Sequence, residues 1–322
     1  MKVTKKDIES ALSNYNVGSL RSYSLPRQGL LNRIVFLKTT KGQYVLKIAL
    51  VNISTLNFVL GLLDHIQMRT TPGPVRTRHK KLDIPYNGFR AYIYPFIPGK
   101  IPKRISGRML NEVGKFLSEY HNRVSDFKTR SRREEILSIS RNSIKNTISH
   151  ARKASAKKDR EAVCYIEKEI EKYFLPAELP EGPIHVDVKP DNSLFIGEKL
   201  KGVVDFDNAY FGPFILDLGV TMSWYGVTRG KIDMDKIKEL YCAYSKGRKL
   251  NSLEMKFIFD ALHFAILRNS LRALELLAQN RLPKKWVHDY LNCYLSAEKS
   301  FNMDRDSFLD FLQNKQQIII LH

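Results

Sequence analysis

Cysteine is scarce and unclustered: the 322 residues hold three, Cys164, Cys242 and Cys293. They form no C-x-x-C and have no histidine nearby at ligand spacing, so neither a disulfide framework nor a zinc site is expected, and a cytoplasmic, reducing compartment fits best. Long apolar runs are missing too. A membrane-spanning helix needs about 18 uninterrupted apolar residues, and the basic start Met1-Lys2-Val3-Thr4-Lys5-Lys6-Asp7 has no apolar stretch behind it of the kind a secretion signal requires. No membrane partner is therefore expected. There is no internal repeat and no low-complexity tract. Acidic residues are in the minority, 33 against 53 Lys and Arg, giving a net charge of +20.

That charge permits an anionic substrate, a nucleic-acid partner or simply a lysine-rich surface. It is spread along the chain, with concentrations at Arg76–Lys81 and between Lys128 and Arg160. In the second, Glu134, Glu135 and Asp159 are interspersed, the pattern of a solvated helix face. The surface reading is preferred over a nucleic-acid footprint, which the charge alone leaves open. At 43% hydrophobic and 27% charged residues the composition is globular, and the length suits one large domain or two lobes.

The first third of the chain reads as a small α/β lobe. Thr4 and Asp7 are placed to cap a short helix carrying Ile8, Leu12 and Tyr15. Extended segments follow at Leu20–Pro26, Leu31–Thr40 and Gln43–Ala49, an antiparallel meander punctuated by Gly29 and Lys41-Gly42. In the third strand the period of two puts Val45, Lys47 and Ala49 on one face, so Lys47 is the lone charge of an apolar strand. Taken alone it could be an edge lysine that snorkels to water. A helix from Ser54 to Arg69 and two strands, near 75–82 and at Phe89–Phe96, complete a five-stranded sheet. Tyr94-Pro-Phe-Ile-Pro-Gly99 breaks regular structure and marks the hinge between residues 1–96 and 97–322.

Beyond it the periodicity is helical. Ser106 caps a stripe of Met109, Leu110, Val113, Phe116, Leu117 and Tyr120. Helical patterns follow over Arg133–His150, around Val163–Phe174, around Asp217–Trp224, and over Asp233–Ser245, Ser252–Gln279, 283–300 and 305–317. Pro176 and Pro180 lead into Ile184-His-Val-Asp-Val-Lys-Pro-Asp-Asn192, followed by a strand hairpin that ends in Val203-Val-Asp-Phe-Asp207.

An aspartate, an asparagine five residues on and a second aspartate after the next strand are the parts that phosphoryl transfer from a nucleotide needs. The hairpin would bring Asp187 and Asp205 to the same side with Asn192 between them. Asp187 would accept the proton of the attacking hydroxyl, while Asn192 and Asp205 would ligate Mg²⁺, which takes one or two carboxylates plus phosphates and water. His185 reads as a structural histidine that holds the loop, and Asp217 as a loop brace. Asp207 is a turn carboxylate or a further metal contact. Lys189 is a solvent lysine or neutralises the transferred phosphoryl.

These residues, with Gly212-Pro213-Phe-Ile-Leu-Asp217-Leu, resemble the aminoglycoside phosphotransferase and choline kinase superfamily, and within it the bacterial homoserine kinases. The likeness extends to Tyr15–Leu20, the strands around Asn32–Lys47, Phe58–Ile66, Phe96–Gly99 and Phe264–Leu274. It implies an α+β, protein-kinase-like fold of two lobes, a small antiparallel-sheet N-lobe and a mostly helical C-lobe. It implies transfer of the ATP γ-phosphate to a small-molecule hydroxyl, with Asp187 as base, Asn192 and Asp205 on magnesium, and Lys47 and the loop around Gly29 on the nucleotide. An amino-alcohol acceptor such as homoserine would need an anion for its ammonium and a cation for its carboxylate, roles open to Asp207 and to Arg268 or Arg272.

Three departures stand out. The Pro26–Asn32 loop has one glycine, no Asp or Glu lies between Lys47 and Leu63 to pair with the strand lysine (Asp64 is a possible substitute), and the strong basic balance is not part of the homoserine picture. Aminoglycoside or choline-type acceptors, a serine/threonine protein kinase and a non-catalytic binding module remain as alternatives. Against the protein kinase stand Asp-Phe-Asp in place of Asp-Phe-Gly and the lack of Ala-Pro-Glu downstream.

Overall fold

The computed structural model describes residues 3–26, 33–130, 140–154, 159–278 and 283–314. They form two compact units, one of Met1–Pro102, Asp126–Ser131 and Asp191–Ala209, the other of Lys103–Ser125, Arg132–Pro190 and Tyr210–His322. A single cut of the chain does not separate them, because residues 191–209 pack with the first unit.

In the first unit, α1 (Lys5–Ser13) opens with the expected capping box: Thr4 Oγ1 accepts from the Asp7 amide, and Asp7 accepts from the Thr4 amide. Strands β1 (Leu20–Ser24), β2 (Arg33–Thr39), β3 (Gln43–Ala49), β4 (Ile84–Tyr86) and β5 (Phe89–Pro95) form one antiparallel sheet in the order β1-β2-β3-β5-β4. Alternation divides β3 cleanly. Leu46 and Ile48 pack with Ile8, Leu12 and Tyr15, while Val45 and Ala49 pack with Leu56 and Leu60 of α2 (Ile53–Ile66) on the opposite face. The sheet is covered on both faces and β3 is its central strand.

Two local expectations are corrected. The fourth strand is at 84–86, not 75–82, because the basic stretch closes on itself: Thr77 N–H donates to Lys81 O, Arg76 donates to Lys80 O, and Lys80 has φ 61°. The cap of α2 is Asn52, whose Oδ1 accepts from the Thr55 amide at 2.8 Å, not Ser54, and Gln67 ends the helix in the left-handed region.

The hairpin of β7 (Ser193–Ile196) and β8 (Lys199–Val203) is tied into this unit by backbone. Lys100 and Phe195 exchange both hydrogen bonds at 2.9 Å, and Val203 N–H donates to Thr70 O at 2.8 Å. Gly202 permits the approach: a β-carbon there would lie 2.7 Å from Ile97 Cγ2 and 3.2 Å from Thr70 O.

The second unit is helical, with α3 (Gly107–Arg123), α4 (Arg141–Ala154), α5 (Arg160–Ile170), α6 (Phe214–Gly226), α7 (Met234–Gly247), α8 (Ser252–Ala278), α9 (Lys284–Ser300) and α10 (Arg305–Gln313). Ser106 caps α3 and Asp233 caps α7 through side-chain oxygens. The predicted start of α4 near Arg133 lies outside the described residues. Short β6 (Glu181–Ile184) pairs with β9 (Tyr210–Pro213), and β10 (Val227–Thr228) with β11 (Lys231–Ile232). Helix α6 is buried almost all round and lies so close to α8 that a β-carbon on Gly219 would sit 2.5 Å from Ala261 O.

Candidate active site

The sheet places Lys47 in its interior. It faces the α2 side, pairs in register with Ile34 and Tyr92, and is 4% exposed, so it is no edge lysine. Its Nζ donates to Asp207 Oδ1 at 2.7 Å and to Asp205 Oδ1 at 3.3 Å. Burial by itself opposes the charge, but Tyr92, Asp207 and Asp205 outweigh it and hold the Lys47 pKa well above the ordinary lysine value. Asp207 thus supplies the carboxylate missing from α2. Asp64, the suggested substitute, is instead bound to Arg76 at 2.5 Å.

Asp205 stands at the end of β8 with φ 67°, entering a single 3-10 turn, Phe206–Asn208. Asn192 leads into β7, and its carbonyl accepts from Val204 N–H at 2.9 Å, so the hairpin sets Asn192 beside the Val204-Asp205 segment. The Asp205 side chain keeps 38% exposure. An amide oxygen and a partly exposed carboxylate are the hard donors that suit Mg²⁺. Among the described residues no cluster of three or more His, Cys, Asp or Glu forms a metal cage. Gly29 lies outside the described residues.

In the second unit the loop after β6 carries Asp187. Val186, a β-branched residue, has φ 54°, a conformation that costs about 1–3 kcal/mol unless its surroundings impose it. Asp217 of α6 imposes it. Fully buried, its Oδ2 accepts from the His185 amide and its Oδ1 from the Val186 amide, each at 2.8 Å. Oδ2 also accepts from His121 Nε2 at 3.2 Å, and His121 Nδ1 accepts from the Tyr244 hydroxyl at 2.7 Å, which in turn accepts from Arg248. Burial alone would raise the Asp217 pKa, but the His121 contact, with His185 beside it, brings it below the ordinary carboxylate value. Burial drives His121 the other way, below the ordinary histidine value, against the pull of Asp217. His185 Nδ1 accepts from the Asp187 amide at 3.2 Å, the structural role expected of it. Lys189 Nζ donates to Asp187 Oδ2 at 2.8 Å and lies 5.0 Å from the centre of the Trp224 ring.

Of the acceptor candidates, Asp207 is engaged with Lys47 as above, and Arg272 pairs with Glu275 one turn along α8. Arg268 is 3% exposed and within electrostatic reach of Tyr210 and Asp187. The chain behind Asp217, from His121 through Tyr244 to Arg248, was not foreseeable: those residues come from α3 and the end of α7, and no short spacing links them to residue 217.

A five-stranded sheet with a lysine on its central strand, and a helical unit presenting a braced loop aspartate, define a protein of the kinase-like phosphotransferase class. The chain belongs to the phosphotransferase enzyme family APH, whose model matches residues 22–250. A homoserine kinase of Rhizobium meliloti is 31% identical over 264 residues, 79% of this chain and 79% of that protein. Among solved structures, an aminoglycoside phosphotransferase from Alicyclobacillus acidocaldarius shares the fold with a TM-score of 0.66 at 14% identity, covering 97% of this chain and 96% of its own. An amicoumacin kinase solved with AMP-PNP and Ca²⁺ does so with a TM-score of 0.65 at 12% identity, covering 96% and 94%. The chain is a nucleotide-using small-molecule kinase that phosphorylates a hydroxyl. Among the described residues no helix is long and apolar enough to cross a membrane.

Proposed function

We propose that the protein transfers the γ-phosphate of ATP, with Mg²⁺, to the hydroxyl of homoserine or a closely similar amino alcohol. The chemistry rests above all on the Asp217-braced loop, which fixes the backbone on the N-terminal side of Asp187 through two amide hydrogen bonds while Lys189 fixes its carboxylate. The acceptor is suggested by the likeness to homoserine kinases across most of both chains.

In this reading Asp187 takes the hydroxyl proton on a carboxylate oxygen, the freed oxygen bonds to the γ-phosphorus, and the bond from that phosphorus to the departing ADP breaks. Lys47, steadied by Asp207, holds the nucleotide phosphates. Asn192 and Asp205 would hold the cation, which neutralises phosphate charge when bound. Lys189, bound to Asp187, would neutralise charge on the transferred phosphoryl.

The test is transfer from radiolabelled ATP or GTP, with Mg²⁺, to homoserine, choline, an aminoglycoside and a serine/threonine peptide. Homoserine with ATP should show the highest kcat/KM. Faster transfer to any other acceptor, or none at all, overturns the reading.

A further inference from the structure

Arg268 of α8 is buried, yet its Nε and Nη2 have no hydrogen-bond partner among the described residues. Among the described residues its hydrogen bonding comes to a marginal 3.5 Å from Nη1 to Asn269 Oδ1, in an amide whose Nδ2 donates to Ser223 Oγ at 3.2 Å. A guanidinium taken out of water with no carboxylate hydrogen-bonded to it is costly to the fold, and burial depresses its pKa despite the fields of Tyr210 and Asp187. The two orphaned nitrogens are not an arbitrary pair: they share one edge of the guanidinium, the edge that grips a carboxylate side-on with two parallel hydrogen bonds.

Two further buried donors have no hydrogen-bond partner among the described residues, the Tyr210 hydroxyl and the Trp224 indole Nε1–H. Tyr210 is within the field of Arg268, and the Trp224 ring lies 5.7 Å from that of Tyr290, which is itself within the field of Arg268. Every orphan of this set can donate. What such a cluster lacks is an acceptor-only, negatively charged group.

We propose that Arg268, with Tyr210 and Trp224, is the receptor for a carboxylate on the acceptor, so that the enzyme selects hydroxy acids over alcohols lacking a carboxylate. This rests on the proposed reaction for its catalytic consequence. It also decides between the two arginines one turn apart, since Arg272 is already neutralised by Glu275.

The test compares homoserine, 4-hydroxybutyrate and 3-aminopropan-1-ol, with inorganic phosphate as a control anion, on the full chain and on Arg268→Met and Arg268→Lys. The wild type should prefer homoserine over 3-aminopropan-1-ol in kcat/KM by about 10²–10³-fold. In Arg268→Met that preference should collapse to within about threefold, with Lys falling between, and the KM for ATP should not move. Homoserine and 4-hydroxybutyrate should raise the thermal midpoint of the wild type but not of Arg268→Met. Without ligands, Arg268→Met should melt above the wild type, because an unpaired buried charge has been removed. A variant that melts lower, or that keeps the homoserine preference, overturns the proposal. So does a wild type stabilised by phosphate more than by either carboxylate. If the wild type phosphorylates nothing but binds both carboxylates through Arg268, the reaction assigned above falls while the carboxylate receptor stands.

Discussion

Lys47 Nζ and Asp207 Oδ1 meet at 2.7 Å although 160 residues separate them in the chain. Both side chains are largely buried, at 5% and 12% exposure, so removing Asp207 leaves the Lys47 charge away from water with only its longer 3.3 Å contact to the partly exposed Asp205. Asp207→Ala should therefore lower unfolding stability by about 3–5 kcal/mol, read from the urea midpoint. The double variant Lys47→Met/Asp207→Leu should recover most of that loss without recovering activity.

Asp187→Asn should lower kcat by about 10²–10⁴-fold while leaving Mg·ATP affinity nearly unchanged, as measured by single-turnover transfer and titration calorimetry. Asp205→Asn should do the converse and remove the metal dependence of nucleotide binding. Near-normal turnover by Asp187→Asn would show that the proton goes elsewhere.

Acid should destabilise the protein in two stages. The folded pKa of His121 lies below its ordinary 6.5, so the unfolded chain binds the extra proton first, and this contribution is complete above pH 6.5 and lost as pH falls from there toward the folded value. Asp217 is likewise depressed below its ordinary 3.8, so its contribution is complete above that pH and lost as pH falls further. His121→Gln keeps a donor for Asp217 but cannot titrate. The difference in stability between wild type and this variant, followed by urea melts, should change as pH falls below 6.5 and level off above it.

Gly219→Ala tests the packing of α6 on α8. In an ordinary helix interior the change stabilises by about 1 kcal/mol. Here the added carbon would meet Ala261 backbone atoms at 2.5 and 2.6 Å, so a loss of about 1–3 kcal/mol is expected, read from urea melts.

Features governed by local pattern were legible in the sequence: the Thr4–Asp7 capping box, the alternation that puts Lys47 on the α2 face, the Ser106 cap, and the loop carrying Asp187. Features set by long-range pairing were not. Nothing within twenty residues of Lys47 names Asp207 as its partner, and Arg268 and Arg272 have equal claims as letters, separated only once Glu275 is seen to neutralise the second. The Ile84-Pro-Tyr86 strand escaped notice because three residues around a proline carry almost no periodic signal. His121 was hidden differently, as the polar end of an apolar stripe whose partner comes from another helix.

The tie between the hairpin and the first unit also bears on the order of synthesis. Residues 1–102 leave the ribosome with Lys47 on the central strand of a sheet and no carboxylate to meet it, and Asp207, 160 residues after Lys47, follows about 5–20 s after residue 102 at ordinary elongation rates. A fragment ending at residue 102 should therefore be poorly soluble and incompletely packed, whereas one extended through Ala209 carries every segment of its own unit. The unit that residues 1–102 begin is finished only once residues 191–209 have been made.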